Sequence, residues 1–159
     1  MKQSKLYNNC LEEMYGLRRF GIKLGLETIG KILETLGNPH KSFKCIHVAG
    51  TNGKGSIASA LASILHASGY KTGLYTSPHL VRFNERICIN NEPVSDEDVI
   101  NSYEKVKKVQ EKADRGLTFF EYTTAMAFYE FGRQKVDWAV KLIGPSLKPV
   151  WGDGLTQPI

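Results

Sequence analysis

The sequence predicts an α/β fold: a phosphate-loop domain on a parallel sheet, with a helical segment ahead of it. Three observations carry this. Cys45 to Ala49 is a short, mostly apolar run that ends at Gly50, the pattern of a buried strand in a parallel sheet. Gly50-Thr51-Asn52-Gly53-Lys54-Gly55-Ser56 separates that run from a helical pattern. A second strand, Lys71 to Thr76, follows the helix, so strand, loop, helix and strand describe a right-handed βαβ unit.

The elements follow in chain order. Residues 1–40 read as a helical segment, with a glycine-punctuated stretch from Phe20 to Leu26 and a helix from about Glu27 to Leu36. Ser56 to Ser68 reads as a helix with Ile57, Ala60, Leu61, Ile64 and Leu65 as its apolar stripe, stopped at Gly69. Arg86 to Asn90 reads as a strand that turns at Asn90-Asn91 and Pro93. Ser95 caps a helix whose first turn carries Asp96, Glu97 and Asp98, and Val99, Tyr103, Val106 and Val109 form its apolar side. Phe119 to Phe131 is a further helix, and Val136 to Val140 a further buried strand.

Composition narrows the function classes. The chain has 159 residues, 42% hydrophobic and 23% charged, and a formal net charge of +5. That is ordinary globular composition, and 159 residues suit one domain. The basic residues are scattered, which argues against a nucleic-acid partner and fits a mild attraction for phosphates. No apolar run approaches the ~20 residues of a membrane span, and the polar start has no signal-peptide core. Cys10, Cys45 and Cys88 lie far apart, as reduced thiols of a cytoplasmic protein do. A soluble monomer is expected.

The glycine-rich loop carries the chemistry. Glycines let backbone N–H groups approach phosphate oxygens, the helix N-terminus adds partial positive charge, and Lys54 supplies a full one. The turn from Gly50 to Ser56 is therefore a candidate nucleotide-binding loop, with Lys54 the cation for the terminal phosphates. The loop departs from G-x-x-x-x-G-K-[ST]: Val48 stands where the first glycine belongs, and Gly55 where a hydroxyl normally helps hold magnesium. A metal ligand must then come from elsewhere. Ser77 in Thr76-Ser77-Pro78-His79, at the C-terminal end of the next strand, is the first candidate and Glu121 the second. A turn residue and a helix-start acid are the structural alternatives for these two. His47 reads as a core residue. Arg82 and Arg86 read as ligand-binding or solvated, with Glu85 pairing to one of them.

V-A-G-T-N-G-K-G-S, L-Y-T-S-P-H-L, R-F-N-E-R-I and F-F-E-Y-T-T-A-M-A-F, in this order, resemble the folylpolyglutamate synthase / dihydrofolate synthase branch of the Mur ligases, and F-G-I-K-L-G-L-E resembles its N-terminal segment. The likeness runs from about Leu17 to Val140. It implies an ATP-dependent ligase that phosphorylates a dihydropteroate or folate carboxylate and joins it to L-glutamate. It also implies that Asn52, Gly53, Lys54, Gly55 and Ser56 hold ATP phosphates, with Lys54 the catalytic cation, and that Ser77 and Glu121 hold Mg2+. Gly25, Leu26, Glu27, His79, Arg82, Thr118, Phe119 and Phe120 would border the substrate. An unrelated phosphate-loop kinase is disfavoured by the T-S-P-H and R-F-N-E-R-I motifs.

The pattern breaks after Val140. Where relatives continue with an acid and G-L-G-G-R-L-D-A-T-N, this chain reads K-L-I-G-P-S-L-K-P-V-W-G-D-G-L-T-Q-P-I, with three of its six prolines. In a shifted frame, permitted codons for this stretch read E-T-G-L-G-G-R-L-D-A-T-N, preceded by a second K-V-D-W-A-V. A tandem duplication that threw the reading frame accounts for both features, and a genuinely divergent tail is the alternative. The expected division is residues 1–40 helical, 41–140 a partial ATP-binding domain, and 141–159 a tail outside the family pattern. On this account the chain is an inactive, truncated fragment that keeps at most weak ATP binding, the rival to an active ligase.

Overall fold

The computed structural model describes residues 2–17, 27–50, 52–113 and 116–142. The tail from 143 onward lies outside the described residues, as do Gly25, Leu26 and Thr51. Helices α1 (Lys2–Gly16) and α2 (Glu27–Thr35) precede strand β1 (Lys44–Val48). Then come α3 (Lys54–Ala67), β2 (Thr72–Tyr75), the hairpin β3 (Ile87–Ile89) and β4 (Glu92–Pro93), α4 (Asp96–Ala113), α5 (Phe119–Gln134) and β5 (Trp138–Leu142).

The described strands form one sheet in the order β1-β5-β2-β3-β4. β5 pairs in parallel with both β1 and β2, placing Val140 opposite Ile46 and Leu74. β3 and β4 add an antiparallel edge through a two-residue turn, where Asn90 and Asn91 take φ of 51° and 68°. Asparagine tolerates that left-handed region, which a tight hairpin requires at both central positions.

β5 starts two residues later than the sequence suggests. Asp137 is the reason: its carboxylate accepts from the Lys71 N–H at 2.8 Å, its N–H donates to Lys71 O at 2.7 Å, and its carbonyl accepts from Lys44 N–H at 3.0 Å. This knot fixes three strands at one end, and the extended run begins after it. β5 then passes through Val140 to Leu142, so Lys141 belongs to the sheet.

Two apolar layers flank the sheet. α5 lies on one face, buried almost without interruption from Glu121 to Phe128, and α1, α2 and α4 back it. α3 covers the other face, over Val48, Leu74, Val140 and Leu142. The α3 stripe differs from the sequence reading. Ala58 and Ala62 are fully buried, whereas Ile57 and Ile64 are 53% and 62% exposed. Small residues let the helix approach the sheet closely, and the larger ones are left on the flank. β1 was expected to be buried, yet only Val48 within it is. It has a partner on one side among the described residues, and its burial is that of an edge strand.

Candidate functional site

β1, β5 and β2 run parallel, so their C-terminal ends share one edge of the sheet, where ligands of open α/β folds bind. Three segments meet that edge: the turn from β1 into α3, the turn after β2, and the start of α5.

The first segment is the glycine turn that the sequence offers as a phosphate seat. Gly50 and Gly53 take φ of 149° and 73°, backbone that side chains rarely adopt, and Gly53 is the N-cap of α3. No side chain caps this helix. The first helical bond is from Ile57 N–H to Gly53 O at 3.0 Å, so the amides of Gly55 and Ser56 have no helical acceptor. A β-carbon on Gly53 or Gly55 would meet no atom within 4 Å, which leaves the mouth of the turn open. Lys54 folds back and donates from Nζ to Gly50 O at 2.5 Å. Asn52 and Ser56 are exposed beside it.

The second segment is ordered by Glu85. The sequence reading paired this acid with an arginine. The structure corrects that: the carboxylate accepts the backbone N–H groups of Leu80, Val81 and Arg82 at 2.8, 3.1 and 2.7 Å. These backbone bonds hold its carboxyl below the usual carboxylate range. Ser77, ahead of a cis bond to Pro78, is exposed. His79 accepts at Nδ1 from Arg86 Nε at 2.7 Å. Arg82 leads elsewhere. Its guanidinium pairs with Asp96 at 2.6 Å, at the N-terminus of α4, and lines a cavity of about 760 Å³ with Asn84 and Ser95.

The third segment is a reciprocal cap. Thr118 donates to Glu121 Oε2 from its N–H at 2.9 Å and its hydroxyl at 2.8 Å, and Glu121 N–H donates to Thr118 Oγ1 at 3.3 Å. Glu121 is therefore the helix-start acid that its position suggests, and the bonds recorded among the described residues fall on Oε2. Phe119 lies against Tyr15 and the Arg86 guanidinium, and Phe120 against Tyr75. Glu27 opens α2 as an exposed first-turn acid. Thr118→Ala is expected to lower stability by about 1 kcal/mol through loss of this cap, read by urea unfolding.

Two residues at this edge escape the sequence reading. Arg86, left there as ligand-binding or solvated, is 5% exposed. Lys141 is 3% exposed, with Nζ over the rings of Phe128 and Phe120 at 4.9 and 5.7 Å. Burial pushes its amine down to about 8. A lysine inside W-A-V-K-L is the one signal that could have marked it. Among the described residues no three His, Cys, Asp or Glu side chains cluster as a metal cage would. Magnesium bound mainly through phosphate oxygens needs only one or two protein ligands.

The sheet order, the uncapped glycine turn and the lysine together define a phosphate-loop α/β protein of the Mur-ligase type. No family model matches the chain. It is 46% identical over 118 residues to the folylpolyglutamate synthase of Lacticaseibacillus casei, covering 71% of this chain and 28% of that protein. It is 37% identical over 139 residues to the dihydrofolate synthase/folylpolyglutamate synthase of Bacillus subtilis, covering 84% and 32%. Among solved structures, the Mycobacterium tuberculosis folylpolyglutamate synthase complexed with ADP superposes with a TM-score of 0.82 at 32% identity, covering 89% of this chain and 33% of that one. An FPGS-AMPPCP-folate complex superposes with a TM-score of 0.81 at 40% identity, covering 87% and 35%. Over the residues that align, the chain is a member of the folylpolyglutamate synthase / dihydrofolate synthase family. It spans about three tenths of the length of the relatives it matches.

None of the described helices is long and apolar enough to cross a membrane.

Proposed function

We propose that this chain carries the phosphate-binding part of an ATP-dependent ligase that joins L-glutamate to dihydropteroate or tetrahydrofolate. The observation that carries the reading is the open, uncapped start of α3 with Lys54 folded beside it. On this reading the amides of Lys54, Gly55 and Ser56, with Asn52 and Gly53, grip the ATP phosphates. Lys54 leaves Gly50 O for the terminal phosphate and neutralises charge as the phosphoryl group moves to the substrate carboxylate. The amino group of glutamate then attacks the acyl carbon, forming the amide bond as the C–O bond to phosphate breaks and inorganic phosphate leaves. Ser77 Oγ and Glu121 Oε1 are the oxygens this chain would offer to Mg2+, which would supply charge neutralisation at the phosphates. Thr118, Phe119, Phe120 and His79 would border the pterin-bearing substrate. Gly25, Leu26 and Glu27 would complete that border, the first two lying outside the described residues. Arg82 joins them only by leaving Asp96.

The division into residues 1–40, 41–140 and a tail from 141, with a shifted reading frame as its origin, belongs to the same proposal. Lys141 supports it, because a charged side chain stands where the sheet face calls for an apolar one. Sequencing the gene across this junction tests it: the duplicated stretch should be present, and an uninterrupted frame without it would reject the account. The free thiols Cys10, Cys45 and Cys88 support a reducing, cytoplasmic setting, and a monomer is the proposed state.

A second reading is that these residues, which span about three tenths of the relatives' length, bind nucleotide without completing the ligation. A ligation assay with ATP, labelled glutamate and tetrahydrofolate separates the two. Incorporation that Lys54→Ala abolishes supports the ligase, and nucleotide binding without incorporation supports the second reading.

A further inference from the structure

Arg86 is 5% exposed, and a buried guanidinium needs its donors satisfied. Here its Nε bond goes to an imidazole: Nε–H donates to His79 Nδ1 at 2.7 Å. The rings of Phe83 and Phe119 lie 5.9 and 5.3 Å from its centre. A guanidinium in a protein does not give up its proton, so Nδ1 is the lone-pair side of the ring and Nε2 carries the hydrogen. Nε2 faces the Tyr15 hydroxyl at 3.4 Å, a long contact that an anionic oxygen would outcompete with a shorter, charge-assisted bond.

The position matters as much as the bond. His79 follows Ser77 by two residues at the end of β2, and Phe119, against Arg86, follows Thr118 at the start of α5. The His79–Arg86 pair therefore lies between two of the three segments at the sheet edge.

We propose that Arg86 is a positioning residue: it locks the His79 ring so that Nε2–H, on the Tyr15 side, donates to an anionic oxygen of the bound ligand, a carboxylate or a phosphate. This rests on the reading of the sheet edge as the ligand site. Fixing the ring in advance leaves less freedom to lose when the ligand arrives.

Nitrogen NMR of the labelled chain tests it. A through-hydrogen-bond coupling between Arg86 Nε and His79 Nδ1 is expected, and is expected to vanish in Arg86→Lys, which keeps the charge but loses the fixed donor. Tetrahydrofolate and Mg·AMPPCP are then titrated separately. A shift of the His79 Nε2–H signal with one of them supports the proposal and names the oxygen as carboxylate or phosphate. His79→Gln, which keeps an N–H near that place, should retain affinity for that ligand, and His79→Ala should lose about tenfold, as one hydrogen bond to a charged group is worth. Absence of the coupling in the unmodified chain, or a signal that neither ligand moves, overturns the proposal. The phosphate-loop reading is judged apart, by Lys54→Ala and nucleotide affinity, so failure of one is distinguishable from failure of the other.

Discussion

Lys141→Met is expected to stabilise the protein at neutral pH by about 2 kcal/mol, an unusual direction for a single core substitution. The amine is 3% exposed, and burial pushes it down to about 8 from the ordinary 10.5. That depression amounts to about 3 kcal/mol favouring the neutral form. The sign follows from proton counting. Between about pH 8 and 10.5 the unfolded chain holds the proton and the folded one releases it, so the stability attributable to this site rises with pH across that window. Below pH 8 the whole penalty is present.

The attraction of the ammonium to Phe128 and Phe120 offsets about 1 kcal/mol, which methionine in turn replaces with ordinary packing. The thiols of Cys10, Cys45 and Cys88, each pushed up to about 11 by burial, act in the opposite sense above pH 9. The measurement is therefore the difference in unfolding free energy between the two proteins at each pH. It should be near its maximum at pH 7 and shrink towards pH 10.5. A difference that does not change with pH would mean that Lys141 is not held as a buried amine.

Gly73→Ala is expected to destabilise by about 2 to 3 kcal/mol, far more than a strand glycine normally would. Glycine weakens a strand, and its presence in β2 asks for a reason. A β-carbon there would stand 2.7 Å from Cδ1 and Cε1 of Phe131. Phe131 is fully buried and held edge-on by Phe43 at 5.8 Å, so the ring has nowhere to retreat. α5 thus approaches β2 at a place where only a bare backbone fits. Phe131→Leu should relieve most of the penalty in the double variant, as a double-mutant cycle by thermal unfolding would register.

Much of the fold was legible because the informative residues act locally. Asn90-Asn91 makes the hairpin, Ser95 with Asp98 starts α4, and the glycines around Lys54 mark the change from strand to helix without help from distant parts of the chain. What the sequence concealed depends on neighbours far away in the chain. The α3 stripe was misplaced because alanine carries little hydrophobic signal, yet Ala58 and Ala62 are the residues that let the helix meet the sheet. The start of β5 was misplaced because Asp137 binds to Lys71, 66 residues earlier. Glu85 was assigned an arginine on charge alone, whereas three backbone amides in one tight loop compete better for a carboxylate than one mobile side chain. The candidate site divides in the same way. The glycine turn into α3 was readable, since its signal lies in consecutive residues. The burial of Arg86 and Lys141 was not, since it arises from aromatic rings on α5 and on the turn before β3.

The account depends above all on the start of α3 being a seat for phosphate. Calorimetric titration of Mg·ATP into the chain, beside Lys54→Ala and with AMP as the control lacking terminal phosphates, tests this most directly. The account predicts saturable ATP binding, at least tenfold weaker binding in the variant from loss of one charged contact, and little affinity for AMP in either. Equal ATP affinity in the two proteins, or no binding to the unmodified chain, would contradict it.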